Sequence, residues 1–244
     1  MRKAVISGHS RGLGYALAEH YLRAGWAVFG LARGRADLRP SENLFQAELD
    51  LSDAGLLAQK LSDGLLADFI RDADELLLIN NAGTTAPNAL LGRQGPSEIV
   101  RAVALNVTAP LLLSDYLLSA RPDGVHLKIV HIGSGAGRRE YAGWSVYGAG
   151  KAALDRHALC AAAEGHPAFS IACIAPGVVD TEMQREIRNA DCRDFPLQPR
   201  FRALKDGAKL QSTADTAAKI AAKIAAMIEA EDFGSKPLAD VRDV

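Results

Sequence analysis

Short apolar segments alternate with helical patterns along the whole 244-residue chain. The first predicted strand, Lys3–Ser7, is followed by a helical pattern over Gly12–Ala24, and the segment Leu76–Ile79 is apolar on both of its faces. A strand that is apolar on both faces is typical of a parallel sheet with helices on each side. Because right-handed crossovers leave few topologies for such βαβ units, the alternation predicts an α/β fold built on a doubly wound parallel sheet.

The rest of the chain fits the same architecture. We predict further strands at 26–32, 43–48, 75–79, 126–132, 169–175 and near 237–241, and further helices at 52–70, within 96–120, at 144–163 and at 215–228. Residues 189–212 are polar and contain two prolines, which predicts a mobile loop or lid. Since no linker or repeat is visible, we predict one Rossmann-type domain over residues 1–244, with helices on both faces of its sheet.

Charge and cysteine content exclude several classes of protein. The chain has 28 Lys and Arg against 29 Asp and Glu, a net charge of −1 that favours neither nucleic acid nor an anionic membrane as partner. Cys160, Cys173 and Cys192 form no CxxC pair, so neither a disulfide framework nor a metal site is predicted. The apolar run at the start ends at Ser7, too early for a signal peptide, and no stretch reaches about 18 uncharged apolar residues. We therefore expect a cytoplasmic protein.

Two glycine-containing loops follow predicted strands. The first, Gly8–Gly14, reads GHSRGLG and opens the first predicted helix. Its glycines would permit a tight turn and the close approach of a pyrophosphate to the helix N-terminus, although a plain strand–helix turn has a similar composition. The second, Asn80–Gly83, follows the fourth predicted strand at the edge where open α/β sheets bind ligands, or it is simply an Asn/Gly turn.

Tyr147 and Lys151 stand four residues apart in a predicted helix, which would place them about 6 Å apart on one helix face. A nearby ammonium favours the phenolate and would lower the pKa of Tyr147 from about 10 toward neutrality, so that Tyr147 could exchange protons near pH 7. Ser134 follows the fifth predicted strand, and its hydroxyl could bond a substrate carbonyl. Asn106 is a polar residue within a long apolar helix, where local bonding to the backbone is the alternative.

Taken together, these motifs resemble the short-chain dehydrogenase/reductase family over essentially the whole chain. The resemblance implies one dinucleotide-binding and catalytic domain in which Tyr147 donates a proton and Lys151 holds the nicotinamide ribose. It further implies that Ser134 orients the substrate carbonyl and that Asn106 supports a water-linked proton relay. The cofactor residues that the motifs and the resemblance indicate are Gly8, Ser10, Arg11, Gly12, Leu13, Gly14, Arg33, Asp50, Leu51, Asn81, Ala82, Gly83, Tyr147, Lys151, Pro176, Gly177, Val179 and Thr181.

The end of the second predicted strand bears on the choice between NAD and NADP. An acidic residue there would bond the ribose 2′-hydroxyl and favour NAD, but the segment Leu31–Arg35 contains none. Arg33 can bind a 2′-phosphate through its planar set of donors, and Arg11 resembles an arginine of NADP-preferring relatives. Asp37 is the acidic residue nearest to the end of this strand, and it is the one candidate for binding the ribose 2′-hydroxyl of NAD. We predict NADP(H) as the cofactor.

Several short strings resemble a subgroup that contains sepiapterin reductase and the bacterial benzil reductases, among them Gly143-Trp144 and the C-terminal segment 232–243. An aspartate matching Asp240 anchors the pterin in sepiapterin reductase, so the resemblance implies a substrate site formed by Ser134, Trp144, Tyr147 and Asp240. A surface aspartate near a mobile terminus is the alternative for Asp240.

The predicted function is that of an NADPH-dependent carbonyl reductase, which transfers hydride to a small-molecule ketone or diketone of the benzil or sepiapterin type. Two alternatives are a catalytically silent dinucleotide-binding module and an NAD-dependent alcohol dehydrogenase of the same fold. The long helices within 96–120 and at 144–163 resemble those that pair in family homodimers and homotetramers, although they could equally just cover the sheet.

Overall fold

A computed structural model of the chain describes residues 1–39, 41–229, 233 and 235–243. Its seven strands form one parallel sheet in the order β3-β2-β1-β4-β5-β6-β7. The strands are β1 (Arg2–Ser7), β2 (Ala27–Ala32), β3 (Leu44–Glu48), β4 (Glu75–Asn80), β5 (Leu127–Ile132), β6 (Phe169–Ala175) and β7 (Leu238–Asp240). The strand order reverses between β1 and β4, which opens a crevice at their carboxyl ends. The predicted doubly wound α/β fold is confirmed.

Helices cover both faces of the sheet. They are α1 (Gly12–Arg23), α2 (Ala54–Ser62), α3 (Ala67–Ile70), α4 (Pro96–Val103), α5 (Ala109–Ala120), α6 (Ser145–Ala163), α7 (Glu182–Asn189), α8 (Gln198–Asp206) and α9 (Thr213–Glu229). On one face, Leu17 of α1 and Ile220 of α9 are fully buried against the sheet. On the other face, Leu57 of α2, Leu113 of α5 and Leu154 of α6 fill the core.

One predicted helix is wrong, and a segment that was predicted to be a mobile loop or lid contains a helix. The predicted helix at 52–70 is divided into α2 and α3, because Gly64 between them adopts a positive φ of 86°. The predicted mobile loop at 189–212 contains α8, in which Phe201 packs into an aromatic cluster around Trp144. Residues 232 and 234 of the predicted C-terminal resemblance lie outside the described residues, as does the side chain of the predicted apolar position 228.

The helical segment Pro96–Ala120 contains one π-helical turn, Ala104–Thr108, between α4 and α5. Among the described residues this segment is long and apolar enough to cross a membrane by length and composition alone, although Glu98, Arg101 and Asp115 interrupt its apolar sequence. Leu113 and Leu117 are fully buried against the sheet, as in a core helix of a soluble protein.

Candidate active site

A cavity of about 1160 Å³ runs along the carboxyl ends of the strands. The loops that follow β1 to β6 line it, and so do residues at the end of β7. The predicted cofactor and substrate residues that line it are Gly8, Ser10, Arg11, Gly12, Leu13, Gly14, Arg33, Asp50, Leu51, Asn81, Ala82, Gly83, Ser134, Trp144, Tyr147, Lys151, Pro176, Gly177, Val179, Thr181 and Asp240. Every predicted site residue except Asn106 therefore lines this cavity.

The glycine loop after β1 is held against the loop after β4. The Ser7 hydroxyl accepts from the backbone N–H groups of Asn81 and Ala82, both at 3.0 Å. In return, Asn81 Nδ2 donates to the carbonyl oxygens of Ser7 at 3.0 Å and Gly8 at 3.2 Å. A Cβ on Gly14 would lie 2.1 Å from the Gly8 carbonyl oxygen, so only glycine permits this close approach.

The N-terminus of α1 fits the pyrophosphate of a dinucleotide. Gly12, Leu13 and Gly14 begin this helix and line the cavity. Arg11 precedes them in an extended conformation, and no side chain caps the helix. The first backbone N–H groups of a helix lack partners within it and attract anions, so this helix end can bind phosphate oxygens.

Arg33 directly follows β2 and also lines the cavity. Asp50 lies nearby and accepts from the Ser52 backbone N–H at 2.9 Å and the Ser52 hydroxyl at 2.7 Å. These hydrogen bonds, together with the charges of Arg101 and Arg33, lower the pKa of the Asp50 carboxyl. Asp37, the candidate for an NAD role, is not among the residues that line this cavity.

Ser134, Tyr147 and Lys151 meet on one wall of the cavity. Lys151 Nζ donates to the Ile132 carbonyl oxygen at 2.7 Å and lies 6.0 Å from the centre of the Tyr147 ring. The Ser134 hydroxyl accepts from the Ala136 N–H at 3.1 Å and is close enough to the Tyr147 phenol to lower its pKa. Tyr147 and Lys151 are both buried on α6. A hydroxyl, a phenol and an ammonium group therefore share one site that largely excludes water.

Burial dominates the ionisation of this pair. It raises the pKa of Tyr147 above its ordinary value, and the hydrogen bond with Ser134 offsets only part of that effect. Burial also lowers the pKa of Lys151. The prediction of a lowered Tyr147 pKa is wrong for the polypeptide, because the ammonium is directed at the Ile132 carbonyl and the cost of burying a phenolate is larger.

Asn106 lies behind the cavity wall, buried within the π-helical turn. Its Oδ1 accepts from the Thr84 backbone N–H and its Nδ2 donates to the Thr84 carbonyl, both at 2.8 Å. A Cβ on Gly83 would lie 3.1 Å from Asn106 Oδ1 and 3.8 Å from Lys151 Nζ. Asn106 therefore fixes the loop after β4 beside Lys151, instead of bonding locally within its own helix.

Aromatic side chains form the wall next to Ser134. The Trp144 ring lies 5.1 Å from the rings of Tyr147, Phe195 and Phe201. Its Nε1 donates to Asn88 Oδ1 at 2.6 Å, which fixes the orientation of the indole. Tyr141, Trp144, Tyr147 and Phe201 all line the cavity, so this end presents flat apolar surfaces beside polar groups.

Asp240 lines the cavity at the end of β7 and is only 8% exposed, so it is not a free surface residue. Its carboxylate accepts from Arg242 Nε at 2.8 Å and from the Arg242 backbone N–H at 2.9 Å. These bonds lower the pKa of Asp240. The ionised carboxylate already has a guanidinium partner within the chain.

A family model described as short chain dehydrogenase matches residues 2–191. The chain belongs to the short-chain dehydrogenase family. The benzil reductase ((S)-benzoin forming) of Bacillus cereus is 32% identical to it, and the alignment covers 96% of each chain. The sepiapterin reductase of Meriones unguiculatus is 33% identical over 88% of each chain. In the crystal structure of a short-chain dehydrogenase/reductase from Burkholderia vietnamiensis, the matched region is 43% identical with a TM-score of 0.71, and covers 78% of this chain and 92% of that one.

Sequence reasoning missed several residues of this short-chain dehydrogenase. Phe195 and Phe201 complete the aromatic wall, but they lie in the segment that was predicted to be a loop. A proline at position 199, in the first turn of α8, followed by apolar residues at 201 and 204, was a usable helix signal. Thr84, the partner of Asn106, carried no recognisable sequence signal.

Proposed function

We propose that the protein is an NADP(H)-dependent carbonyl reductase that transfers hydride to a ketone or diketone of the benzil or sepiapterin type. The observation that carries the proposal is the meeting of Ser134, Tyr147 and Lys151 on one wall of a cavity that also contains the glycine loop. The relatives named benzil reductase and sepiapterin reductase support a carbonyl substrate.

A nicotinamide cofactor, when bound, supplies the hydride for such a reaction. The N-terminus of α1 would hold its pyrophosphate, Asp50 and Leu51 would flank its adenosine, and Lys151 would hold its nicotinamide ribose. The loop after β6 would contact the nicotinamide through Pro176, Gly177, Val179 and Thr181, which all line the same cavity.

The chain's own groups supply the proton and the orientation. The buried Tyr147 phenol is protonated at neutral pH and would donate its proton to the substrate oxygen, although its raised pKa makes this step harder unless the phenolate is stabilised. The Ser134 hydroxyl would hold that oxygen next to the phenol. The Lys151 ammonium would then stabilise the phenolate that proton transfer leaves behind. We assign Asn106 to a water-linked proton relay, beside its contacts with the Thr84 loop.

Two features support NADP(H) over NAD(H). Arg33 directly follows β2 and lines the cavity, and Arg11 lines it from the glycine loop. An arginine fork can bind a phosphate through two parallel hydrogen bonds. Asp37, which could bind a free ribose hydroxyl, does not line the cavity, and its backbone carbonyl accepts from the Tyr15 hydroxyl at 3.2 Å.

The choice of an aromatic ketone or diketone rests on the wall formed by Tyr141, Trp144 and Phe201. Flat rings on a substrate can pack against these side chains in offset or edge-to-face contacts. The Ser134 and Tyr147 hydroxyls lie next to this wall and would receive the carbonyl oxygen.

We also propose that the protein forms a homodimer or homotetramer through α4, α5 and α6. Val100 and Val103 on α4 are 69% and 44% exposed, and Leu159 on α6 is 36% exposed. Exposed apolar side chains on neighbouring helices are typical of subunit interfaces. Light scattering on the purified protein would test this, and fractionation of cells would test the cytoplasmic location that we propose with it.

Replacement of Tyr147 by Phe tests the enzymatic proposal directly. We expect NADPH oxidation with benzil to fall at least about 100-fold, because the proton donor is lost. The Kd for NADPH should change by less than about twofold, since the ring that packs in the wall is kept. Tyr116→Phe on α5, outside the cavity, is the matched control.

Equal rates for the Tyr147→Phe variant and the parent would contradict the proposal and favour a silent dinucleotide-binding module. If the parent instead binds NADH as tightly as NADPH, the alternative of an NAD-dependent alcohol dehydrogenase is favoured.

A further inference from the structure

The ring of His9 is fully buried between the glycine loop and the sheet. It lies on Gly30 of β2, where a Cβ would come within 2.2 Å of the His9 ring atoms Cγ and Cδ2. Gly30 is paired with Gln46 of β3 in the strand register. Because Gly30 has no side chain, the His9 imidazole can lie directly beside Gln46.

Gln46 connects this ring to the segment that follows β2. Its Oε1 lies 2.7 Å from His9 Nε2 and also accepts from the Ala36 backbone N–H at 2.7 Å. An amide oxygen can only accept, so His9 carries a proton on Nε2 and donates it to Gln46. One residue further along the chain, the Asp37 backbone carbonyl accepts from the Tyr15 hydroxyl at 3.2 Å. Gln46 from β3 and Tyr15 from α1 thus fix this segment at two neighbouring residues, and His9 in turn holds Gln46.

The fixed segment begins with Arg33, which lines the cavity. Ala36 is three residues further along, so a displacement at Ala36 would be transmitted through a short loop to the Arg33 guanidinium. Neither His9 nor Gln46 lines the cavity. Groups that are held in place before a ligand arrives bind it with less loss of conformational entropy.

We propose that His9 and Gln46 are positioning residues for the cofactor's 2′-phosphate. They hold the backbone of the segment 33–37 so that Arg33 is directed into the cavity before the ligand binds. The inference rests on the proposed preference for NADP(H), and it adds two residues that set this preference without touching the cofactor.

The test compares ADP-ribose with 2′-phospho-ADP-ribose, two probes that differ only in the 2′-phosphate and contain no nicotinamide. Isothermal titration calorimetry gives the Kd of each probe for the parent protein, Gln46→Met and Gln46→Asn. Met lacks the acceptor oxygen, and Asn is one methylene too short to reach both His9 and Ala36. Gln59→Met, an exposed position on α2, is the matched control, and Arg33→Ala shows the effect of removing the phosphate contact itself.

We expect each Gln46 variant to weaken binding of 2′-phospho-ADP-ribose by about tenfold, while the Kd for ADP-ribose changes by less than about twofold. In a double variant with Arg33→Ala, the Gln46 substitution should have no further effect on the preference, since it acts through Arg33. A folded Gln46 variant that keeps the parent's ratio of the two Kd values would overturn the inference.

The parent protein gives a second measurement that does not depend on whether the variants fold. 2′-Phospho-ADP-ribose should protect the Ala36 amide from hydrogen exchange more strongly than ADP-ribose does, and equal protection would count against the inference. If the parent binds both probes equally, the proposed NADP(H) preference itself is wrong. If the parent prefers the phosphorylated probe but Gln46 has no influence, only the positioning role is wrong.

Discussion

The Arg138 guanidinium and the Asp155 carboxylate form an ion pair with two parallel bonds, Nε to Oδ2 at 2.9 Å and Nη2 to Oδ1 at 3.0 Å. The same guanidinium donates to the carbonyl oxygens of Cys173 on β6 and Ala239 on β7, both at 3.2 Å. Since Asp240 follows directly, one arginine side chain connects α6 to the strand that carries the Asp240 carboxylate into the cavity.

Asp155→Asn should lower the free energy of unfolding by about 1–3 kcal/mol, because Arg138 would lose its charged partner at the buried Asp155 position. Urea denaturation followed by circular dichroism would measure the change. Asp123→Asn, at an exposed position, is the control and should be nearly neutral. A change of less than about 0.5 kcal/mol for Asp155→Asn would show that the ion pair contributes little to stability.

Lys151→Met should lower kcat strongly and move the remaining activity to higher pH. The side chain keeps its volume but loses the charge that we assign to stabilising the phenolate formed on proton transfer, so proton exchange by Tyr147 should require a higher pH. The measurement is the pH profile of kcat in both reaction directions. Lys219→Met, exposed on α9, is the control, and an unchanged profile for Lys151→Met would contradict the assigned role.

Asp240→Ala should raise KM for a pterin-like substrate and leave KM for benzil unchanged, if the carboxylate anchors a polar heterocycle. The structure provides a second variant to test, because Arg242 donates hydrogen bonds to this carboxylate. Arg242→Ala would free it and should lower KM for the pterin-like substrate. If neither variant distinguishes the two substrates, the cavity is better described as a general site for aromatic ketones.

The buried His131 makes the fold sensitive to acid. It lies 2.9 Å from His157 and 3.1 Å from the Asn80 amide nitrogen, and burial lowers the pKa of His131 to about 3. The unfolded chain would take up this proton near the ordinary value of about 6.5, so stability should fall as the pH drops from about 6.5 toward 3.

His131→Gln keeps hydrogen-bonding groups at this position and removes the titration. Between about pH 6 and pH 4, the free energy of unfolding should fall less steeply in the variant, by up to about 1.4 kcal/mol per pH unit. Urea titrations at several pH values measure this slope. The exposed His166→Gln is the control, and equal slopes for the parent and His131→Gln would contradict the prediction.

The strands could be predicted from sequence because buried parallel strands are short, continuous apolar runs. The predicted strand at 169–175 coincides with β6, and the predicted strand at 75–79 is one residue shorter than β4. The helix α8 was missed because its own sequence is mostly polar, and packing of Phe201 on Trp144 stabilises it from outside.

The parts of the site that could be predicted are those in which the spacing along the chain fixes the relative position of two side chains. Tyr147 and Lys151 share a helix face because they are four residues apart. The pKa of Tyr147 could not be predicted in this way, since it depends on burial by distant segments. The pairs Asn106–Thr84 and His9–Gln46 are 22 and 37 residues apart, and no local pattern links their members.

The bonds between Ser7 and Asn81 have a consequence for biosynthesis. These partners are 74 residues apart, and β4, which carries Asn81 to its position, must pair with β1 before the bonds can form. The glycine loop is also bonded to β2, where the Gly8 N–H donates to the Leu31 carbonyl oxygen at 2.7 Å. A growing polypeptide therefore cannot make the contacts between the loop after β1 and the loop after β4 until it has been synthesised beyond residue 82, about a third of the chain.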